Sequence, residues 1–130
     1  MKSRKKHELP LFAIGHVVLH VASVKTSARF YERLGLRPVW SRDDMAILEL
    51  RGGTHLLLFS GSARQRRAKK ALFDLMADDL DAAHARAKRC GFRPSRIGDG
   101  APGGHRYFTL LDPDRVRLTV YSSHTDGRRV

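Results

Sequence analysis

The 130-residue chain has one cysteine, Cys90, so no internal disulfide can form. That excludes a disulfide-stapled secreted scaffold. The lone thiol sits on what reads as a helix face and fits a reducing compartment. Long apolar runs are also missing. None reaches the roughly 18 residues of a membrane-spanning helix, and the longest are strand-sized. The basic stretch Met1–Pro10 is followed by no long apolar core, so no secretory signal is read and a cytoplasmic location is expected. Acidic residues are scarce, 13 against 25 Lys and Arg, which gives a net charge of +12. Such a field draws anions, from phosphorylated metabolites to nucleic acid, and says nothing about fold. Catalytic signatures are absent as well. Gly100–Gly104 is glycine-rich but lacks the Lys-Ser/Thr of a phosphate loop, and no Ser-His-Asp or Cys-His order stands out.

What the chain has is apolar residues, 42% of the total, in short patterned segments that suit one folded domain. Residues 1–11 read as a flexible basic arm. Ile14–Val21 is β-branched and apolar, a buried strand. Ser23 is placed to cap a helix running to Leu34, with Val24, Ala28, Tyr31 and Leu34 on one face and Gly35 as its stop. Strands follow at Leu36–Arg42, Ala46–Leu50 and His55–Phe59, the last two joined through Gly52-Gly53. Residues 61–69 have turn composition and read as a linker. Then the order begins again: a strand at Ala71–Met76, Asp79 as cap, a helix over Leu80–Cys90, and Gly91 as stop. Strands are expected near 93–97, 106–111 and 116–121, with Asp112-Pro113-Asp114 as a turn. The repetition is visible in the letters. Arg33-Leu-Gly35-Leu-Arg37-Pro38 recurs 56 residues later as Arg89-Cys-Gly91-Phe-Arg93-Pro94. Leu56–Ser60 lies over Leu118–Ser122 at an offset of 62. Together these argue for a duplicated βαβββ unit in an α+β domain spanning 12–123, with modules at 12–60 and 70–123 and a tail at 124–130.

Several segments carry a resemblance. Gly15-His16-Val17-Val18-Leu19, the helix end Ala28-Arg-Phe-Tyr-Glu-Arg-Leu-Gly-Leu36, Ala46–Leu50, Asp78–Ala83, and Tyr107-Phe108-Thr109 with Asp112-Pro113-Asp114 together resemble the vicinal oxygen chelate superfamily. This group includes glyoxalase I, extradiol dioxygenases, and the fosfomycin- and bleomycin-resistance proteins. The resemblance implies two βαβββ modules curling sheets around a cavity, and a homodimer that often shares its cavities between chains. It also implies a divalent metal held by His or Glu at four symmetric positions, which polarises vicinal oxygens of a substrate. Those positions fall on His16, Leu57, Lys70 (or Leu72 by the internal offset) and Thr119. Only His16 is a ligand type. Leu57 cannot donate and an ammonium at Lys70 would repel a cation, so no resident metal or other cofactor is expected. The recruits on offer are His20, on the face of His16, with His55 on the face of Leu57 and Asp74 on that of Lys70.

The candidate ligand-binding residues are therefore His16, Val18, His20, His55, Leu57, Lys70, Tyr107, Thr109, Thr119 and Tyr121. Histidine titrates near neutral pH and can donate to an anion, and the tyrosines can stack on a ligand or pack in the core. The leading expectation is a non-metal small-molecule binder in which the +12 field favours anions and disfavours a cationic drug. The alternative is a metal-dependent glyoxalase-, dioxygenase- or thiol-transferase-type enzyme using His16 with recruited ligands. A nucleic-acid-binding module, using Lys2, Arg4, Lys5, Lys6 and the 64–70 cations, ranks third because no aromatic residues are interleaved with those charges. No membrane partner is expected.

Overall fold

The computed structural model of the chain describes residues 9–66, 71–100 and 104–123. It has seven strands and two helices among them: β1 His16–Val21, α1 Val24–Leu34, β2 Arg37–Arg42, β3 Met45–Glu49, β4 His55–Ser60, β5 Leu75–Ala77, α2 Leu80–Arg89, β6 Tyr107–Leu111 and β7 Arg117–Ser122. The strands form one sheet of order β1-β4-β3-β2 and a second of order β5-β7-β6. In each sheet the module's first strand runs parallel to its last, and the remaining contacts are antiparallel. The α+β duplication read from the sequence is the architecture of the molecule.

Both helices start and stop as their sequences dictate. The Ser23 side chain accepts from the Thr26 N–H, and Asp79 from the Ala82 N–H, each satisfying a donor that the helix leaves unpaired. Gly35, at φ 136°, closes α1 by donating to the carbonyls of Tyr31 and Glu32, a conformation that a β-carbon would strain. Between β3 and β4 the expected hairpin is a short 3-10 turn, Arg51–Gly53, with Gly52 and Gly53 both at positive φ.

Two expectations for the second module need correction. The strand expected from Ala71 is β5, which begins only at Leu75. The strand expected at 93–97 is not formed. Arg93 has φ 53°, Pro94 has no N–H to give, and the Ser95 hydroxyl accepts the Thr109 N–H that a regular ladder would use. The segment still lies along β6. The Ser95 N–H donates to the Thr109 carbonyl, and Gly98 exchanges hydrogen bonds with Tyr107. A β-carbon at Gly98 would lie 3.3 Å from the Tyr107 ring, so the ring would have to give by a few tenths of an ångström.

The core gathers Val21, Tyr31, Leu48, Leu56 and Leu58 from the first module with Leu80, Phe108, Leu110, Leu118 and Val120 from the second. The join is specific as well as apolar. Phe30 packs on Phe92 with ring centroids 4.5 Å apart, and Arg33 donates to the Cys90 carbonyl while Arg86 donates to that of Arg33. The Asp112-Pro113-Asp114 turn does more than turn the chain. Asp112 Oδ1 accepts from the Asp114 and Val116 N–H groups, and its Oδ2 accepts from the buried Tyr31 hydroxyl 81 residues away. Asp114 accepts from the Ala22 N–H and faces Arg66 at 3.7 Å.

Burial raises the Asp112 pKa from the ordinary carboxylate value, against the lowering effect of its hydrogen bonds. Burial and the Asp112 charge hold the Tyr31 hydroxyl protonated well above the ordinary phenol range. Removing the carboxylate orphans three buried donors, so Asp112→Ala should cost about 3 kcal/mol in denaturant unfolding and Tyr31→Phe about 1 kcal/mol. Asp112→Asn keeps an acceptor, drops the buried charge and should cost less than Ala. Because the folded chain holds the Asp112 proton more tightly than the unfolded chain, its contribution is greatest below the unfolded pKa. It is lost as pH rises through the raised folded value. The stability of wild type relative to Asp112→Asn should therefore increase as pH falls from neutrality towards 4, about the unfolded value.

Candidate functional site

Cross-strand register assigns side chains to the two faces of the first sheet. One face carries Val21, Ala46, Leu48, Leu56 and Leu58 into the core under α1. The other is open: Val18 is 48% exposed and Trp40 45%. Three rows cross it. The first runs His16, His55, Glu49, Arg37 over β1, β4, β3 and β2. The second runs Val18, Leu57, Ile47, Trp40, and the third His20, Phe59, Met45, Arg42. Arg37 and Trp40 share a face, although three residues apart, because a register shift between Pro38 and Trp40 inserts one residue.

The first row is polar and connected. Arg37 ion-pairs with Glu49 at 2.5 Å, and the same carboxylate oxygen lies 3.5 Å from His55 Nε2. The His55 and His16 rings follow at a centroid separation of 6.2 Å. The second row is an apolar shelf beside it. An open polar edge along an apolar shelf suits a ligand with a charged or hydrogen-bonding head and an apolar body.

The candidates named from the sequence separate into groups. His16, Val18, His55 and Leu57 come together on this face. His20 shares the face but stands four residues, about 13 Å, along the strand from His16. It lies against Phe59, and against Gly61, where a β-carbon would come within 2.7 Å of its own. His20 is thus not a recruit for a site centred on His16. Tyr107, Thr109, Thr119 and Tyr121 share one face of the second sheet through the pairs Tyr107–Tyr121 and Thr109–Thr119. The two tyrosine rings are 5.9 Å apart, and Thr119 is buried. Lys70 lies outside the described residues, while Leu72, the other reading of that position, is 95% exposed. Glu49 and Arg37 are the residues that sequence reading left out. Glu49 alternates with Ile47, which gives its face, but only the strand pairing shows that the carboxylate meets His55 and Arg37.

Two sheets, each from one βαβββ-type unit, make a duplicated α+β domain. A family model for the Glyoxalase/Bleomycin resistance protein/Dioxygenase superfamily matches residues 13–120, and the chain belongs to that superfamily. No curated protein matches the sequence. Among solved structures, the chain is similar to a lactoylglutathione lyase from Agrobacterium tumefaciens at 21% identity and TM-score 0.69, over 88% of this chain and 96% of that one. A bleomycin-binding protein complexed with bleomycin matches at 24% and 0.68, over 87% and 99%. TnmS3, an antibiotic binding protein from Streptomyces sp. CB03234, matches at 18% and 0.71, over 88% and 98%. At these identities the likeness is one of fold.

The superfamily's divalent metal does not fit the residues present. The positions that the resemblance implies for its ligands fall on His16 in β1, Leu57 in β4 and Thr119 in β7, and only His16 is a ligand type. Among the described residues no three His, Cys, Asp or Glu side chains gather as donors. The nearest nitrogen and oxygen groups, His55 and Glu49, are engaged with each other and with Arg37. Titrating the apo protein with zinc, nickel or manganese should therefore give no stoichiometric binding in calorimetry. A one-to-one ion lost in His16→Gln would contradict this.

Proposed function

We propose that this protein binds an anionic small molecule without a metal, on the open face of the first sheet. The observation that carries the reading is the polar row His16–His55–Glu49–Arg37 set along the shelf Val18–Leu57–Ile47. The imidazoles can donate to an acidic head while the shelf takes an apolar body, and Arg37 keeps Glu49 from presenting a bare negative charge to that head. The net charge of +12 favours the same ligand class and disfavours a cationic one. Relatives in fold include proteins named for binding bleomycin and an antibiotic, which supports binding as a role of the architecture. An exposed face with half-exposed Val18 and Trp40 binds weakly alone. In this reading the Tyr107, Thr109, Thr119 and Tyr121 face from a second copy closes over it, making the functional unit a cytoplasmic homodimer.

A thermal-shift screen of matched anionic and cationic small molecules tests the proposal. A ligand at 100 times its Kd stabilises by about 2.7 kcal/mol, several degrees in Tm. Hits should be anions, and Val18→Asp should abolish their effect while the chain keeps its fold, read by an unchanged circular dichroism spectrum. Equal responses to both charge classes, or hits insensitive to Val18→Asp, would sink it.

A further inference from the structure

A second binding feature lies on the opposite side of the first sheet, between α1 and the edge strand β2. A cavity of about 690 Å³ is lined by the α1 flank that includes Lys25, Ala28 and Arg29, by Ser41 and Arg42 of β2, and by Ser60. A smaller one of about 250 Å³ is lined by Pro38, Val39, Trp40 and Leu48. Ala28, Glu32 and Ser41 line both, so the two form one groove running along the helix. It exists because small residues stand where larger ones would seal helix to sheet: Ala22, Ser23, Ala28, Ser41 and Ser60. The far end lies at the register shift between Pro38 and Trp40, which interrupts the β2–β3 pairing there.

The groove has two chemically different ends. Lys25 and Arg29 stand one helical turn apart on its lip, a like-charge pair that repels itself. Neither makes an ion pair among the described residues, although Glu32 lies on the same flank and Asp43 across the groove. Arg42 borders the groove from β2, but its side chain turns to the open face, where it holds Asp44 at 2.7 Å and lies 5.3 Å from the Trp40 ring. At the other end Val39 is 48% exposed beside Pro38 and Trp40. Cations that make no ion pair among the described residues at one end and unburied apolar surface at the other are both relieved by one kind of occupant.

We propose that this groove binds an anionic amphiphile, a small molecule whose phosphate or carboxylate head pairs with Lys25 and Arg29 and whose apolar body lies along Ala28 towards Pro38 and Val39. The site is separate from the His16–His55 face, and each can exist without the other. Glu32 and Asp43 line the same cavity as the two cations, so the head has to sit on Lys25 and Arg29 clear of both carboxylates.

The test uses monomeric octyl phosphate as probe, with inorganic phosphate and 1-octanol as its separate halves, and follows amide shifts of the full chain by NMR. Octyl phosphate should bind saturably, more tightly than either half, and shift residues of 22–32, 38–43 and 60. The double variant Lys25→Gln/Arg29→Gln should weaken it at least 10-fold without lowering Tm, since both side chains are exposed and repel each other. Ala28→Leu, which fills the groove and leaves its charge alone, should weaken it as much. Lys25→Gln/Arg29→Gln binding as tightly as wild type would overturn the proposal, as would equal affinity for octanol. Shifts centred instead on His16, Val18 and Leu57 would also overturn it while supporting the open-face reading. No binding by octyl phosphate at all overturns the groove proposal and leaves the open face to its own screen.

Discussion

The buried hydrogen bond between the Tyr31 hydroxyl and Asp112 is the contact on which the rest of the arrangement depends. It joins the helix of the first module to the last turn of the second, at a place where neither group can reach water. A carboxylate in that position is expensive unless every nearby donor is turned to it, and here two backbone N–H groups and a phenol are. Asp114 repeats the device one step outward, on the Ala22 N–H and Arg66. One tripeptide thus pins the start and the third turn of α1, and through them sets where the first sheet stands against the second module.

That pinning has a consequence for function. With α1 seated on the core face of the first sheet, its other face is left uncovered by the described chain, and His16, Val18, His55 and Leu57 face outward. The same seating leaves the groove along β2, because Ala22, Ser23, Ala28, Ser41 and Ser60 line it where larger side chains would close it. The first sheet therefore offers two surfaces of different character. One has a polar row of paired groups beside an apolar shelf. The other has cations that make no ion pair among the described residues at one end and apolar side chains at the other.

Much of the fold was legible in the letters, for physical reasons that can be named. Ser23 and Asp79 are cap residues in front of apolar-periodic segments, Gly35 and Gly91 end those segments, and the 56-residue offset repeats the pattern. The second sheet was harder. The 93–97 segment has strand-like composition, but Arg93 and Pro94 take it out of the ladder and Ser95 substitutes a side-chain acceptor. The face of a residue within its own strand follows from alternation, whereas the pairing of β1 with β4 is what sets His16 and Val18 beside His55 and Leu57. The partners of Glu49 were not visible, because they depend on which strands pair and in what register, and Arg37 reaches that face only through the bulge. Likewise the turn chemistry of Asp112-Pro113-Asp114 is local and readable, whereas its reach to Tyr31 and Ala22 is a property of the packed molecule. His16 shows the limit of reading by family position: it is of the superfamily's ligand type, yet among the described residues no three His, Cys, Asp or Glu side chains gather as donors.

The central claim is that the open face of the first sheet, and not a metal centre, is where a ligand is held. Methyl NMR of the chain titrated with its strongest anionic ligand tests this most directly, because Val18, Leu57 and Ile47 supply methyl groups across the shelf. The account predicts that these methyls shift together and saturate with one affinity, in metal-free buffer with a chelator present. Shifts that leave these three residues unmoved, or that appear only after a divalent ion is added, would contradict it.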